Sequence, residues 1–181
     1  MLNMVNIIIG LGIIVIVSLL LLVITIICNK FSLAIIKIEK AEEDIDMYLQ
    51  KKHELLDRTK PIVMKELKLE EFLPELNIPL EEVNNFETNN ILRQCSNDLN
   101  KIIDDNEKLL KSEALVSILD SLTDNEEDII GAIKFYNDTV VNFNKLVVSF
   151  PSNIIALFKR YKKKDFYSDE KKEMYEILKD K

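Results

Sequence analysis

From Val5 to Cys28 every position is apolar except Asn6, Ser18 and Thr25. At about 1.5 Å per residue such a run crosses the roughly 30 Å hydrocarbon core of a bilayer. From Phe31 the pattern changes. Ile38, Ala41, Ile45, Tyr48 with Leu49, and Leu55 with Leu56 fall three or four apart, the spacing of a helix with one buried face. The spacing predicts that the apolar helix continues without a linker from Lys30 to Lys60. Pro61 is expected to kink or break it, because proline lacks the N–H and crowds the preceding turn; beyond it the helix is expected to resume to about Phe72.

Two prolines in Phe72–Pro79 predict a turn region. A second helix is expected from about Leu80 to Leu110, with Val83, Phe86, Ile91, Leu92, Cys95, Leu99, Ile102 and Ile103 on its apolar face. A short third helix is expected from Ser112 to Leu122. Asp124-Asn125-Glu126-Glu127 reads as a new helix start, a cap followed by acids in the first turn. The last long helix then runs to about Phe150, and Pro151 ends it or opens a short helix from Ser152 to Tyr161.

Within that last long helix, aromatics precede asparagines at Tyr136-Asn137 and Phe143-Asn144. With Ile129 at heptad position d, Ile133 falls at a, Tyr136 at d, Val140 at a, Phe143 at d, Val147 at a and Phe150 at d. This is a coiled-coil seam. Asn137 and Asn144 fall at e, on its flank, where an amide can donate and accept towards a neighbouring helix. The pattern reads as helix packing rather than as a cofactor or substrate box.

The fold class is therefore all-α: an N-terminal transmembrane helix followed by an antiparallel bundle of three to four long helices. The 181 residues include only three Gly and four Pro, which agrees with long helices. The expected divisions are residues 1–4 as a short extracellular N-terminus, 5–28 as the span, 29–161 as the bundle and 162–181 as a charged tail. Residues 1–29 carry no charged side chain, so the net charge of −7 belongs to the remainder. That acidic balance argues against nucleic acid as a partner, since binding phosphates needs a basic face.

Lys30, Lys37 and Lys40 follow the span. Positive charge on the cytoplasmic side places the bundle in the cytoplasm and the N-terminus outside. The run lacks the basic n-region and small-residue cleavage site of a signal peptide, so an uncleaved anchor is expected. Cys28 and Cys95 are the two cysteines, too few for a disulfide framework or a four-cysteine zinc site, and both are expected as free thiols. Thr25-Ile26-Ile27 before Cys28 do not suit lipidation, which calls for small residues there.

Candidate chemistry is sparse. His53, the one histidine, lies four after Leu49 and three before Leu56, which puts it on the inner stripe as a packed histidine. A membrane-attached helix carrying His53-Glu54-Leu55 also resembles the phosphoacceptor helix of a sensor kinase, but no glycine-rich nucleotide loop accompanies it. Glu126, Glu127 and Asp128 are accounted for by a helix start. Asn137-Asp138-Thr139 is formally a glycosylation acceptor, without meaning in a cytoplasm. Lys159-Arg160-Tyr161-Lys162-Lys163-Lys164 is the dense basic run, open to solvent, anionic lipid or an acidic partner. Gly10-Leu11-Gly12 and Ser18 offer small residues for helix contact in lipid. No catalytic, cofactor-binding or metal-binding residue and no small-molecule substrate is indicated.

The run Tyr136-Asn137, Val140, Phe143-Asn144, Phe150-Pro151 and Ala156 resembles the LemA family of bacterial membrane proteins. Phe166 resembles the family's closing aromatic, and Glu126, Ile129 and Ala132 its lead-in helix. Ile45-Asp46, Leu49 and Lys51-Lys52-His53-Glu54-Leu55-Leu56 resemble its early motif. The chain departs from the family where Ile133 replaces an Arg, Phe143 a Tyr, Arg160-Tyr161 a Gly-Phe, and Asp57 a Pro. The resemblance implies one N-terminal membrane helix followed by an antiparallel bundle of long helices in a bacterial cell membrane, and no established enzyme activity.

The expected role is a non-enzymatic scaffold, tethered to lipid through residues 5–28, that docks an unknown cytoplasmic protein or self-associates. The alternative is a signalling component acting through His53.

Overall fold

The structure is a computed structural model, and it describes residues 2–77 and 84–167. The described residues form four α-helices: α1 (Leu2–Leu67), α2 (Asn85–Asp105), α3 (Glu113–Val148) and α4 (Ser152–Lys159). Short 3-10 turns lie at Pro74–Asn77 and Glu107–Lys111. The fold is all-α. Residues 80–83 of the expected second helix, and 168–181 of the expected tail, lie outside the described residues.

The chain divides into two compact units, one of Met1–Glu39 with Asp138–Asp165 and one of Lys40–Asn137 with Phe166–Lys181. In the first, α1 is exposed on all sides through Ile26 and then turns one-sided, burying Ile27, Phe31, Ala34 and Ile38. The hydroxyls of Ser18 and Thr25 donate to the Ile14 and Leu21 carbonyls one turn back, so neither needs a partner outside its own helix. Phe31 packs on Phe143 and Tyr161 with ring centroids 5.8 Å and 4.9 Å away. In the second unit, Ile45, Leu49, Leu56 and Val63 of α1 continue the stripe into a core shared with Leu92 and Leu99 of α2 and Leu115 and Ile129 of α3.

Pro61 does not break α1, which runs through it to Leu67. An interior proline costs about 3 kcal/mol. Leu56, Thr59 and Val63, the residues flanking it on the buried face, are fully shielded, and a buried Leu or Val each returns about 1.5–3 kcal/mol. Burial therefore outweighs the local penalty. The helix closes instead at Lys68, which turns left-handed at φ 53°, while the Leu69 N–H reaches back to the Met64 carbonyl.

Nor does α3 restart at Asp124; it is continuous from Glu113. The actual start is capped by Ser112, whose Oγ accepts from the Leu115 N–H. Thr123 turns its hydroxyl back onto the Leu119 carbonyl, and Leu115, Ile118, Asn125 and Ile129 form an unbroken buried face. Likewise α2 ends sooner than the apolar pattern predicts, and its described start is capped. Asn84 accepts from the Glu87 N–H at one end, and Asn106 donates through Nδ2 to the Ile102 carbonyl at the other.

After Val148 the chain bends by 94° into α4, through a cis Phe150–Pro151 peptide. The Ser152 hydroxyl shares its proton between the Leu146 and Ser149 carbonyls where α3 ends, the latter also accepting from the Asn153 N–H. At the far end of α4, Arg160 is left-handed with φ 56°. Its N–H and that of Tyr161 donate to the Leu157 and Ala156 carbonyls, a pairing that normally selects glycine at the left-handed position. Replacing Arg160 by glycine relieves left-handed strain and costs less than that in chain entropy. Arg160→Gly is therefore expected to raise stability by about 0.5–1 kcal/mol, read as a higher thermal midpoint of the detergent-solubilised chain. A lower midpoint would mean that the arginine side chain contributes more than its backbone costs.

Candidate functional site

The aromatic–asparagine run of α3 is only partly the seam that its heptads predict. Ile129, Val140 and Phe143 are buried and Tyr136 is half-buried, but Phe150 is 81% exposed. Asn137, expected on the flank, is 0% exposed. The two asparagines grip backbone rather than another helix. In the first unit, Asn144 Nδ2 donates to the Lys164 carbonyl and Asn144 Oδ1 accepts from the Lys164 N–H, both at 2.9 Å. In the second unit, Asn137 Oδ1 accepts from the Tyr167 N–H at 2.9 Å. Among the described residues Asn137 Nδ2 has no partner. Full burial also removes Asn137 from any role as a glycan acceptor in the folded chain.

Tyr167 completes this arrangement. Its hydroxyl donates to the Asn85 carbonyl at the start of α2 at 2.7 Å, and its ring meets Phe86 and Tyr136 edge-on. Burial, with a smaller effect from the Asp46 carboxylate, holds its phenol well above the ordinary range. Tyr167 therefore stays protonated, and its hydroxyl remains a donor. Removing the Asn144 amide deletes two hydrogen bonds, worth together about 2 kcal/mol. Asn144→Ala is expected to raise the open population of residues 161–165 by roughly 30-fold, measured as faster limited tryptic cleavage after Lys162 and Lys163. An unchanged rate would show that the clamp does not hold this segment.

Around His53 the buried residue is its neighbour. The stripe Ile45, Leu49, Lys52, Leu56, Thr59, Val63 runs through Lys52, which is 2% exposed and pairs with Glu126 of α3. Glu126 is thus the partner of a buried ammonium rather than a first-turn acid. Asn125 beside it donates to the Tyr48 carbonyl at 3.0 Å. His53 is half-buried, and its Nε2 donates to the Leu76 carbonyl at 2.8 Å, tying α1 to the 3-10 turn. Both Lys52 and His53 satisfy the helical spacing. Of the two, Lys52 is the more deeply buried.

Cys95 is fully buried. Burial pushes its thiol up to about 11, helped by the Glu75 and Asp98 carboxylates. A free thiol titrates near ~8.5, so the folded chain holds this proton more tightly than the unfolded chain. The associated stability is intact below about pH 8.5 and is lost as pH rises to about 11. Urea midpoints of the detergent-solubilised chain at about pH 8 and about pH 10.5 are expected to differ more for the wild type than for Cys95→Ala; equal differences would refute the shift.

A cavity of about 620 Å³ in the second unit is lined by Pro61, Lys65, Glu66, Lys108 and Lys111 among others. It was not legible beforehand, because its two sides lie some forty positions apart in the sequence. Ser112 in its wall is engaged in capping α3. No cluster of three or more His, Cys, Asp or Glu side chains occurs among the described residues that could hold a metal ion. The contacts described so far organise backbone and core.

The chain is an all-helical protein whose first helix is long and apolar enough to cross a membrane. The LemA family model matches residues 41–178, most of the chain. The protein belongs to the LemA family. Comparison with curated proteins and with solved structures finds no match.

Proposed function

We propose that the protein is a non-enzymatic scaffold of the bacterial cell membrane, single-pass, with its N-terminus outside and its helical domain in the cytoplasm. There it docks a cytoplasmic protein or a second copy. The observation that carries this reading is the unbroken course of α1, Leu2–Leu67. The same helix supplies the apolar run and the core stripe, with no loop between them. Lys30, Lys37 and Lys40 after the run support the orientation. At His53, Nε2 donates to the Leu76 carbonyl, which ties the ring to the 3-10 turn and leaves the lone pair on Nδ1, so this contact does not favour the signalling alternative over the scaffold.

Lys134 and Asn142 are exposed on α3 and suit photo-crosslinkers in cells. Reproducible adducts to one foreign protein would identify a docking scaffold, and adducts only to itself a homo-oligomer. Lipid adducts alone, or none, would refute docking through this helix.

A further inference from the structure

Helix α4 is inside out for a helix in water. Its shielded residues are small: Ser152 is 4% and Ala156 2% exposed. Its large apolar residues face outward: Leu157 is 79% and Phe158 83% exposed. Phe150, Ile154 and Val148 extend the same exposed apolar surface around the corner from α3. Helices in hydrocarbon pack this way, with small residues four apart turned to the neighbouring chain and large ones to lipid. A contiguous apolar patch marks an interaction surface rather than ordinary exposed residues.

The place of the corner identifies what covers it. Phe31 lies three residues beyond Cys28, the end of the apolar run, about 4.5 Å along the helix. It packs directly on Phe143 and Tyr161, which flank the corner on either side. Ile27, inside the apolar run, is 8% exposed while its neighbour Ile26 is 46% exposed, so the bundle already shields α1 within the segment that spans the bilayer. Taken together, α3 and α4 also meet the length and apolarity required of a span. Lys159, Arg160, Lys162 and Lys163 follow directly and are exposed, as cationic side chains are at the headgroup boundary of an apolar element.

We propose that the α3–α4 corner, with Phe150, Ile154, Leu157 and Phe158, is buried in the same leaflet that α1 enters, as a second, non-spanning membrane contact whose lysines and Arg160 meet anionic headgroups. This rests on the reading of α1 as a membrane anchor. It makes residues 159–163 membrane-proximal and adds their charge to that of Lys30.

The chain contains no tryptophan, so one introduced residue reports alone. The full chain carrying Phe158→Trp or Leu157→Trp is reconstituted in vesicles of phosphatidylcholine and phosphatidylglycerol with bromine on the acyl chains. Ile16→Trp serves as the anchor reference, and Ile130→Trp as the water reference. The expected result is a several-fold loss of emission at positions 157 and 158, as at 16, with 130 unaffected. Emission at 157 and 158 that is unquenched by bromine and quenched by aqueous iodide would place the corner in water and overturn the proposal. Emission shielded from both quenchers would mean that protein, such as a second copy, covers the corner, and would equally overturn it. Quenching at 16 without quenching at 157 and 158 defeats the corner alone; no quenching at 16 defeats the anchor reading with it.

Discussion

A helix that is apolar on every side needs apolar surroundings on every side, whether lipid or protein, whereas a helix in a water-soluble bundle needs one apolar stripe. α1 passes from the first condition to the second at Ile27, without a loop, and the rest of the structure follows from that transition. From Ile27 onward, shielded residues recur every three or four positions through Ile38 in one unit and from Ala41 to Val63 in the other. Each unit is the set of segments that covers its own portion of that stripe. The apolar run supplies no comparable demand, and its two hydroxyls are satisfied within the helix.

Most of this was legible in the sequence, because periodicity reports burial directly. The passage from an all-apolar run to a one-sided helix, expected at Phe31 and found at Ile27, most of the apolar face of α2 with Phe86 as an exposed exception, and the short helix after Pro151 could be read from spacing. The errors arose where a local signal competed with burial. Pro61 signals a break and Asp124-Asn125 signals a cap, but both sit in stretches whose buried faces are continuous on either side. Lys52 was invisible for the complementary reason: its partner Glu126 is 74 residues away in the chain, and nothing local distinguishes a paired lysine from a solvated one.

The asparagines show where pattern reading stops. A polar residue next to an aromatic on a core-facing stripe is compatible with contact to a second helix or to bare backbone, and the sequence contains no cue that separates them. In each unit the asparagine meets a peptide group, Asn144 that of Lys164 in the first and Asn137 that of Tyr167 in the second. The His53 contact is equally hidden in the sequence: its Nε2 bonds to the Leu76 carbonyl, 23 residues away in the chain.

The uninterrupted α1 also carries a phase. Successive residues of a helix are turned by about 100° and raised by about 1.5 Å. One residue inserted between Thr25 and Phe31 would rotate the azimuth of the apolar run against that of the stripe by the full angle, with no loop to absorb it. Any contact in the bilayer that fixed the rotation of the run, such as one through Gly10 or Gly12, would fix the bearing of the stripe as well. The helix is thus a torsional element, with its register set residue by residue.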